Sequence, residues 1–181
     1  MGAAAQALLD ATTTLGPCEG EVMPSNPLKL AIQRPSIYRV LIRWGALANW
    51  SERALRRVTK ERIGVLDLVG LPSIQLTVAG RNTGIFRATS LQYVPDGDVM
   101  LVVASNWGSD RHPAWSANLM AAKQATVRRR EEQFTASVRM LTGVERTQAW
   151  HKALRFWPNY HIAQEMAGDR EFRIFALERI Q

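Results

Sequence analysis

Early in the chain the apolar positions recur every three or four residues. In SIYRVLIRWGALANW, Ile37, Val40, Leu41, Trp44 and Leu47 keep that spacing with Arg39 and Arg43 on the other side, the pattern of an amphipathic helix. SERALRRVTKERIG continues in the same period, with Ser51 as its N-cap and Gly64 as its stop. From residue 65 the period changes to two. Ile74, Leu76 and Val78 alternate inward along SIQLTV, and AGRNTG breaks the alternation with a turn. IFRATSLQYV then predicts one long strand ended by the Asp96-Gly97 turn. VMLVVA is apolar at successive positions, as a strand covered on both faces would be. Pro113, read as a first-turn proline, opens the helix PAWSANLMAA. ATVRRR and EQFTASVRML predict a pair of strands. Thr142-Gly143-Val144-Glu145 reads as a capping box before the helix VERTQAWHKALRFW, and REFRIFALERI as a closing strand. A strand meander with two inserted helices lacks the βαβ alternation of a parallel sheet. The expected class is therefore α+β: mainly antiparallel β, a small barrel with peripheral α-helices. Residues 1–64 form an N-terminal extension and residues 65–181 the barrel domain.

Charge sharpens that division. Between Leu28 and Gly64 stand nine Lys/Arg and two Asp/Glu, so this segment carries the whole net charge of +7. Three readings fit: a solvated helix face, an anionic membrane surface bound through residues 28–64, and nucleic acid. The third has no aromatic-interleaved sheet or helix-turn-helix signature beside it, and a basic amphipathic helix suits the second better. The Ala, Thr and Gly of residues 1–25 predict an unordered start. That start lacks the basic region of a signal peptide, and Gln6 stands where a myristoylation pattern needs Ser or Thr. No apolar run approaches the roughly 20 residues that span a bilayer. The lone Cys18 excludes an internal disulfide and fits a reducing cytosol. The expected location is cytoplasmic, with peripheral attachment to the inner face of the cell membrane if the basic helices bind lipid.

The three histidines have no ligand spacing, so no metal site is expected, and no Ser/His/Asp order stands out. The turn GRNTGIFRATSL carries more chemistry. Arg81 and Arg87 set two permanent cations near Thr83, Thr89 and Ser90, a donor set for an anion. A plain hairpin would also explain it. Farther on, SNWGSDRHPAWSANL places Trp107 and Trp115 in a loop that turns into a helix.

Together, GRNTGIFRATSL and VASNWGSDRHPAWSANL resemble the deazaflavin-dependent nitroreductase family, split β-barrel oxidoreductases that use coenzyme F420. Its members read roughly Gly-Arg-Lys-Ser/Thr-Gly, Arg-x-Thr-Pro-Leu, Ala-Ser-x-Gly-Gly and Pro-x-Trp-Tyr-x-Asn-Leu. The likeness runs from about Leu76 to the C-terminus, where WPNYHIAQEMAGDREFRIFALE resembles the family's last helix turn and strand.

The resemblance implies a hydride transfer from reduced F420, an 8-hydroxy-5-deazaflavin, to a small-molecule electron acceptor: a quinone, a nitro compound or an activated alkene. It implies that Arg81, Asn82, Thr83, Arg87, Ala88, Thr89, Ser90, Leu91 and Gln92 hold the cofactor's phosphate and acidic tail. Val103, Ala104, Ser105 and Asn106 would meet its ring, and Ala114, Trp115, Ser116, Ala117 and Asn118 would form the helix start against it. Trp107, Trp157 and Tyr160 would face the substrate, with Tyr160 as the catalytic hydrogen-bond donor. Asn82 replaces the usual Lys, Ser90 the usual Pro, Trp107 the first loop Gly, and Ala163 a common Tyr. Those departures leave two alternatives: a cofactor carrier or sensor without turnover, and a relative of the same fold that uses FMN.

Overall fold

In the computed structural model, the residues described are 71–180, with Arg34, Ser36 and Ile37. The unordered start, the helices expected before residue 65, the basic stretch 28–64 and the boundary at residue 64 lie outside these residues.

Seven strands form one antiparallel sheet: β1 Ser73–Ala79, β2 Phe86–Gln92, β3 Val94–Asp96, β4 Val99–Val103, β5 Gln124–Arg129, β6 Glu132–Met140 and β7 Ile174–Arg179, in the order β2-β1-β5-β6-β7-β4-β3. Strands β2 and β3 stand at the two ends of that order, yet Tyr93 alone separates them in the chain. A flat sheet would hold its edges about 29 Å apart, six spacings of about 4.8 Å. One intervening residue bridges no more than about 7 Å. The sheet must therefore curl until its edges meet, and β2 packs against β4. The result is a barrel split along one seam.

Curling gives the sheet an inside and an outside, and the period-two pattern sorts residues between them. Inside lie Ile74, Leu76, Val78, Met100, Val102, Val127, Phe175 and Leu177. Helix α1, Ala114–Ala121, plugs this interior with Leu119 and Trp115, one turn apart on a single face. Outside, Leu101, Val103, Ile174 and Ala176 are covered by helices α2, Gly143–Phe156, and α3, Tyr160–Met166, through Ala149, Ala153, Trp157, Tyr160 and Ala163. Strand β4 is thus buried on both faces, as its unbroken apolar run predicts.

Several local expectations need correction. The long strand through Val94 does not exist as one element. It ends at Gln92, and the Tyr93 amide donates to the Pro72 carbonyl at 3.2 Å. The chain turns there because β3 pairs with β4 instead of β1. The turn at Gly97 is as read: Gly97 takes φ 60° in a two-residue loop between paired Asp96 and Val99, a conformation favourable to glycine. Pro113 is extended (ψ 143°) and precedes α1 as its N-cap, not as a first-turn residue. Thr142 caps α2 without a side-chain bond, so the capping box is absent. Glu145 turns to Arg139, whose guanidinium forks onto its carboxylate at 2.5 and 2.7 Å, a charge-assisted pair stronger than a neutral capping bond. The closing strand begins only at Ile174. Helix α3 is too short for a periodic signal.

Candidate functional site

Three segments distant in sequence come together at one end of the barrel. The first is the β1–β2 turn. It closes on itself when the amides of Thr83 and Gly84 donate to the Gly80 carbonyl at 3.1 and 2.7 Å. The second is α1. Asn118, 8% exposed, accepts at its Oδ1 from both the amide and the Nη1 of Arg81, each at 3.2 Å. One side chain thus joins the basic turn to the helix, and Arg81 is oriented as well as charged. Ser116 donates from Oγ to the Pro113 carbonyl at 2.9 Å and accepts from Arg173 Nη1 at 3.3 Å. Trp115 packs inward, its ring 6.0 Å from Phe175.

The third segment is the turn after β4. Asn106, Trp107 and Gly108 take φ of 47°, 55° and 75° in succession, the left-handed region that disfavours side chains. Gly108 also sits where a Cβ would lie 2.9 Å from the Ala163 carbonyl oxygen and 3.0 Å from the Met166 Cβ. The turn can rest on α3 only because this residue is glycine. The Asn106 side-chain amide donates to the Arg111 carbonyl at 2.9 Å. No backbone acceptor among the described residues takes the amides of Asn106 or Trp107.

Arg170, which no residue pattern singles out, underlies this turn. Its Nε donates to the Ser109 carbonyl at 2.8 Å, Nη1 to Ala104 at 3.0 Å and Nη2 to Ser105 at 2.6 Å. Its guanidinium lies 4.6 Å over the Phe172 ring. Burial, and to a lesser degree Arg173, lowers its pKa from the ordinary value. His112 stands 3.5 Å from Arg170; burial first, then Arg173 and Arg170, lowers its pKa below the usual 6.5. Arg170 and Arg173 thus set two cations beside His112, with the Asp110 carboxylate acting on Arg170 in the opposite sense.

The residues expected to hold a cofactor divide accordingly. Cross-strand partners share a face. Arg87, Thr89 and Leu91 lie opposite the inward Val78, Leu76 and Ile74, while Ala88, Ser90 and Gln92 lie opposite Thr77, Gln75 and Ser73. A ligand along β2 meets the side chains of one set only. Gln92 Nε2 is buried with no hydrogen-bond acceptor, so the outer set has a donor to spare. Asn82 and Thr83 are exposed in the turn. Val103 and Ala104 serve the fold: the Val103 carbonyl accepts from the Ser105 amide, and the Ala104 amide donates to Arg173. Ala114 is exposed and Ala117 half-buried on α1. Trp107 is 37% exposed, whereas Trp157 and Tyr160 are each 4% exposed in the outer core, Tyr160 with its ring 6.2 Å from Trp150.

A family model of F420H(2)-dependent quinone reductases matches residues 50–179, a stretch that contains all three segments. The chain belongs to the F420H(2)-dependent quinone reductase family. It is 38% identical over 86 residues to F420H(2)-dependent quinone reductases of Mycobacterium tuberculosis, and equally to a putative one of Mycobacterium bovis. The match covers 41% of this chain and 58% of each relative, so the chain spans little more than half their length. A solved F420-H2 dependent reductase superposes with a TM-score of 0.54 at 29% identity, over 59% of this chain and 94% of that one. A solved domain-swapped dimer superposes with a TM-score of 0.57 at 27% identity, over 71% and 97%. The split barrel of this family is thus the fold of this chain.

Proposed function

We propose that the protein is an F420H2-dependent oxidoreductase that reduces a quinone, with nitro compounds and activated alkenes as secondary acceptors. The observation that carries this reading is the family match across a site where the basic turn, α1 and the left-handed turn converge. The residues present fit an anionic, oxygen-rich cofactor with an apolar ring. Arg81 and Arg87 offer guanidinium forks, Gln92 an unclaimed donor, and Trp107 an exposed aromatic surface.

When bound, the reduced deazaflavin supplies a hydride, and a quinone takes one further proton to become the hydroquinone. Arg81, set by Asn118, with Arg87 and Thr89 on one face of β2, would hold the anionic tail, and Ser90 and Gln92 on the other face would serve a ligand only on that side. Ser105 and Asn106 would border the ring, with Val103 and Ala104 as the wall behind them. Trp107 covers the acceptor. Tyr160 lies in the core beside Trp150; in this reading its hydroxyl would donate to the acceptor oxygen and steady the charge that grows there. The basic segment 28–64 brings the enzyme to anionic membranes, where lipid-soluble quinones reside.

Absorbance titration with F420 and with FMN, followed by single-turnover oxidation of the reduced cofactor by a quinone and by a nitroaromatic, tests the reading. F420 binding with rapid oxidation by the quinone supports it. FMN binding alone identifies a flavin enzyme, and F420 binding without turnover a carrier. Tyr160→Phe should bind F420 as the wild type does and slow hydride transfer by about 10²–10³-fold, the usual effect of losing one well-placed donor. An unchanged rate removes Tyr160 from the chemistry.

A further inference from the structure

We propose that Arg170 is a positioning residue: it holds the 104–109 turn in its left-handed form and so presets the surface that meets the deazaflavin ring. The proposal rests on the functional reading above for its last clause only. One guanidinium occupies three backbone carbonyls of this turn, those of Ala104, Ser105 and Ser109, at 2.6 to 3.0 Å. They lie on both sides of the three residues with positive φ. Such residues persist only where their surroundings over-determine them, since each adds of the order of 1–2 kcal/mol when it carries a side chain. Asn106 and Trp107 both carry one.

Within the turn itself the Gly108 amide donates to the Ser105 carbonyl and the Ser109 amide to the Asn106 carbonyl, each at 3.0 Å. Asn106 reaches forward to the Arg111 carbonyl, and Gly108 rests on α3. Among the described residues only Arg170 reaches both the carbonyls before the turn and the one after it. Its own orientation comes from the Phe172 ring beneath it, in the fully buried outer core. The rigid barrel thereby adds an outside clamp to a turn whose own two backbone bonds are local. Lysine keeps the charge at this position but cannot donate along three fixed directions. Arg170→Lys thus separates the fork from the charge.

The experiment compares wild type, Arg170→Lys and Arg170→Gln, with Arg139→Lys as a surface control. Amide hydrogen exchange is measured on cofactor-free protein, together with the melting temperature and the F420 dissociation constant. Both Arg170 variants should exchange at least tenfold faster in a peptide covering 104–111, while 143–156 stays as in wild type. Their F420 dissociation constants should rise roughly tenfold or more, a difference of about 1.4 kcal/mol, with melting temperatures within a few degrees of wild type. Unchanged exchange in 104–111 overturns the proposal. So does a lowered melting temperature with unchanged F420 affinity, which marks a structural anchor only. If Arg170→Gln does not fold, Arg170→Lys decides by the same readings. Wild-type protein that fails to bind F420 sinks the functional reading, while the exchange result still judges the turn.

Discussion

At Gly108 two constraints meet in one residue: a φ of 75° and a neighbouring carbonyl that would lie 2.9 Å from a Cβ. Gly108→Ala should therefore destabilise the protein by about 2 kcal/mol or more, read as a lower urea midpoint with an unchanged slope. The resemblance places a glycine pair at this turn, and the second is present. What no residue pattern conveys is that Trp107 adopts the left-handed conformation its missing glycine would have taken. Arg170 was equally hidden, because its partners are backbone carbonyls, which any sequence provides. Tyr160 and Trp157 illustrate the opposite difficulty. Their residue types suit a substrate wall, but burial depends on how α2 and α3 lie across β4 and β7, a fact of packing beyond local pattern.

Elements with an unambiguous period were the most legible. Strand β1 follows directly from apolar spacing, and β4 from its unbroken apolar run; helix α2 was placed by a capping signal that the structure does not use. Boundaries set by partner choice were not: IFRATSLQYV has uniform strand propensity, yet Tyr93 divides it between opposite edges of the sheet. The capping box failed for a similar reason, since Glu145 found a better partner on β6. Helix α1 is the element on which barrel and site both depend. Leu119 is fully buried in the interior, and Asn118 beside it orients Arg81. Leu119→Ala should cost about 2–5 kcal/mol in chemical denaturation. In the fraction that remains folded, F420 should bind more weakly, because the same helix carries the tether. Full F420 affinity in that fraction would mean that the turn holds its shape without α1.

At the scale of the whole molecule the charge is unevenly placed along the chain. The segment 28–64 holds the entire net positive charge, and the rest of the chain balances. Co-sedimentation with vesicles should increase with their anionic lipid content, decrease with salt, and vanish when residues 28–64 are deleted. Equal sedimentation by the deleted protein would leave that segment as a solvated face. None of the helices formed by the described residues is long and apolar enough to cross a membrane.

The strand order has one more consequence, for how the molecule is made. Strand β7 is the last element in the described chain, yet it lies between β6 and β4 and pairs with both. Without it the sheet falls into two hydrogen-bonded pieces, β2-β1-β5-β6 and β4-β3, joined by the chain through Tyr93, by the segment that carries α1, and by the packing of β2 on β4. A ribosome that has delivered everything up to Arg173 has made six strands and no barrel. The nascent protein must wait, with Phe134, Val102 and Leu101 uncovered, until six more residues emerge. A chain that ends early by that much would not be a slightly smaller version of this fold. It would be two unfinished sheets with open edges, the kind of surface that chaperones bind and proteases remove.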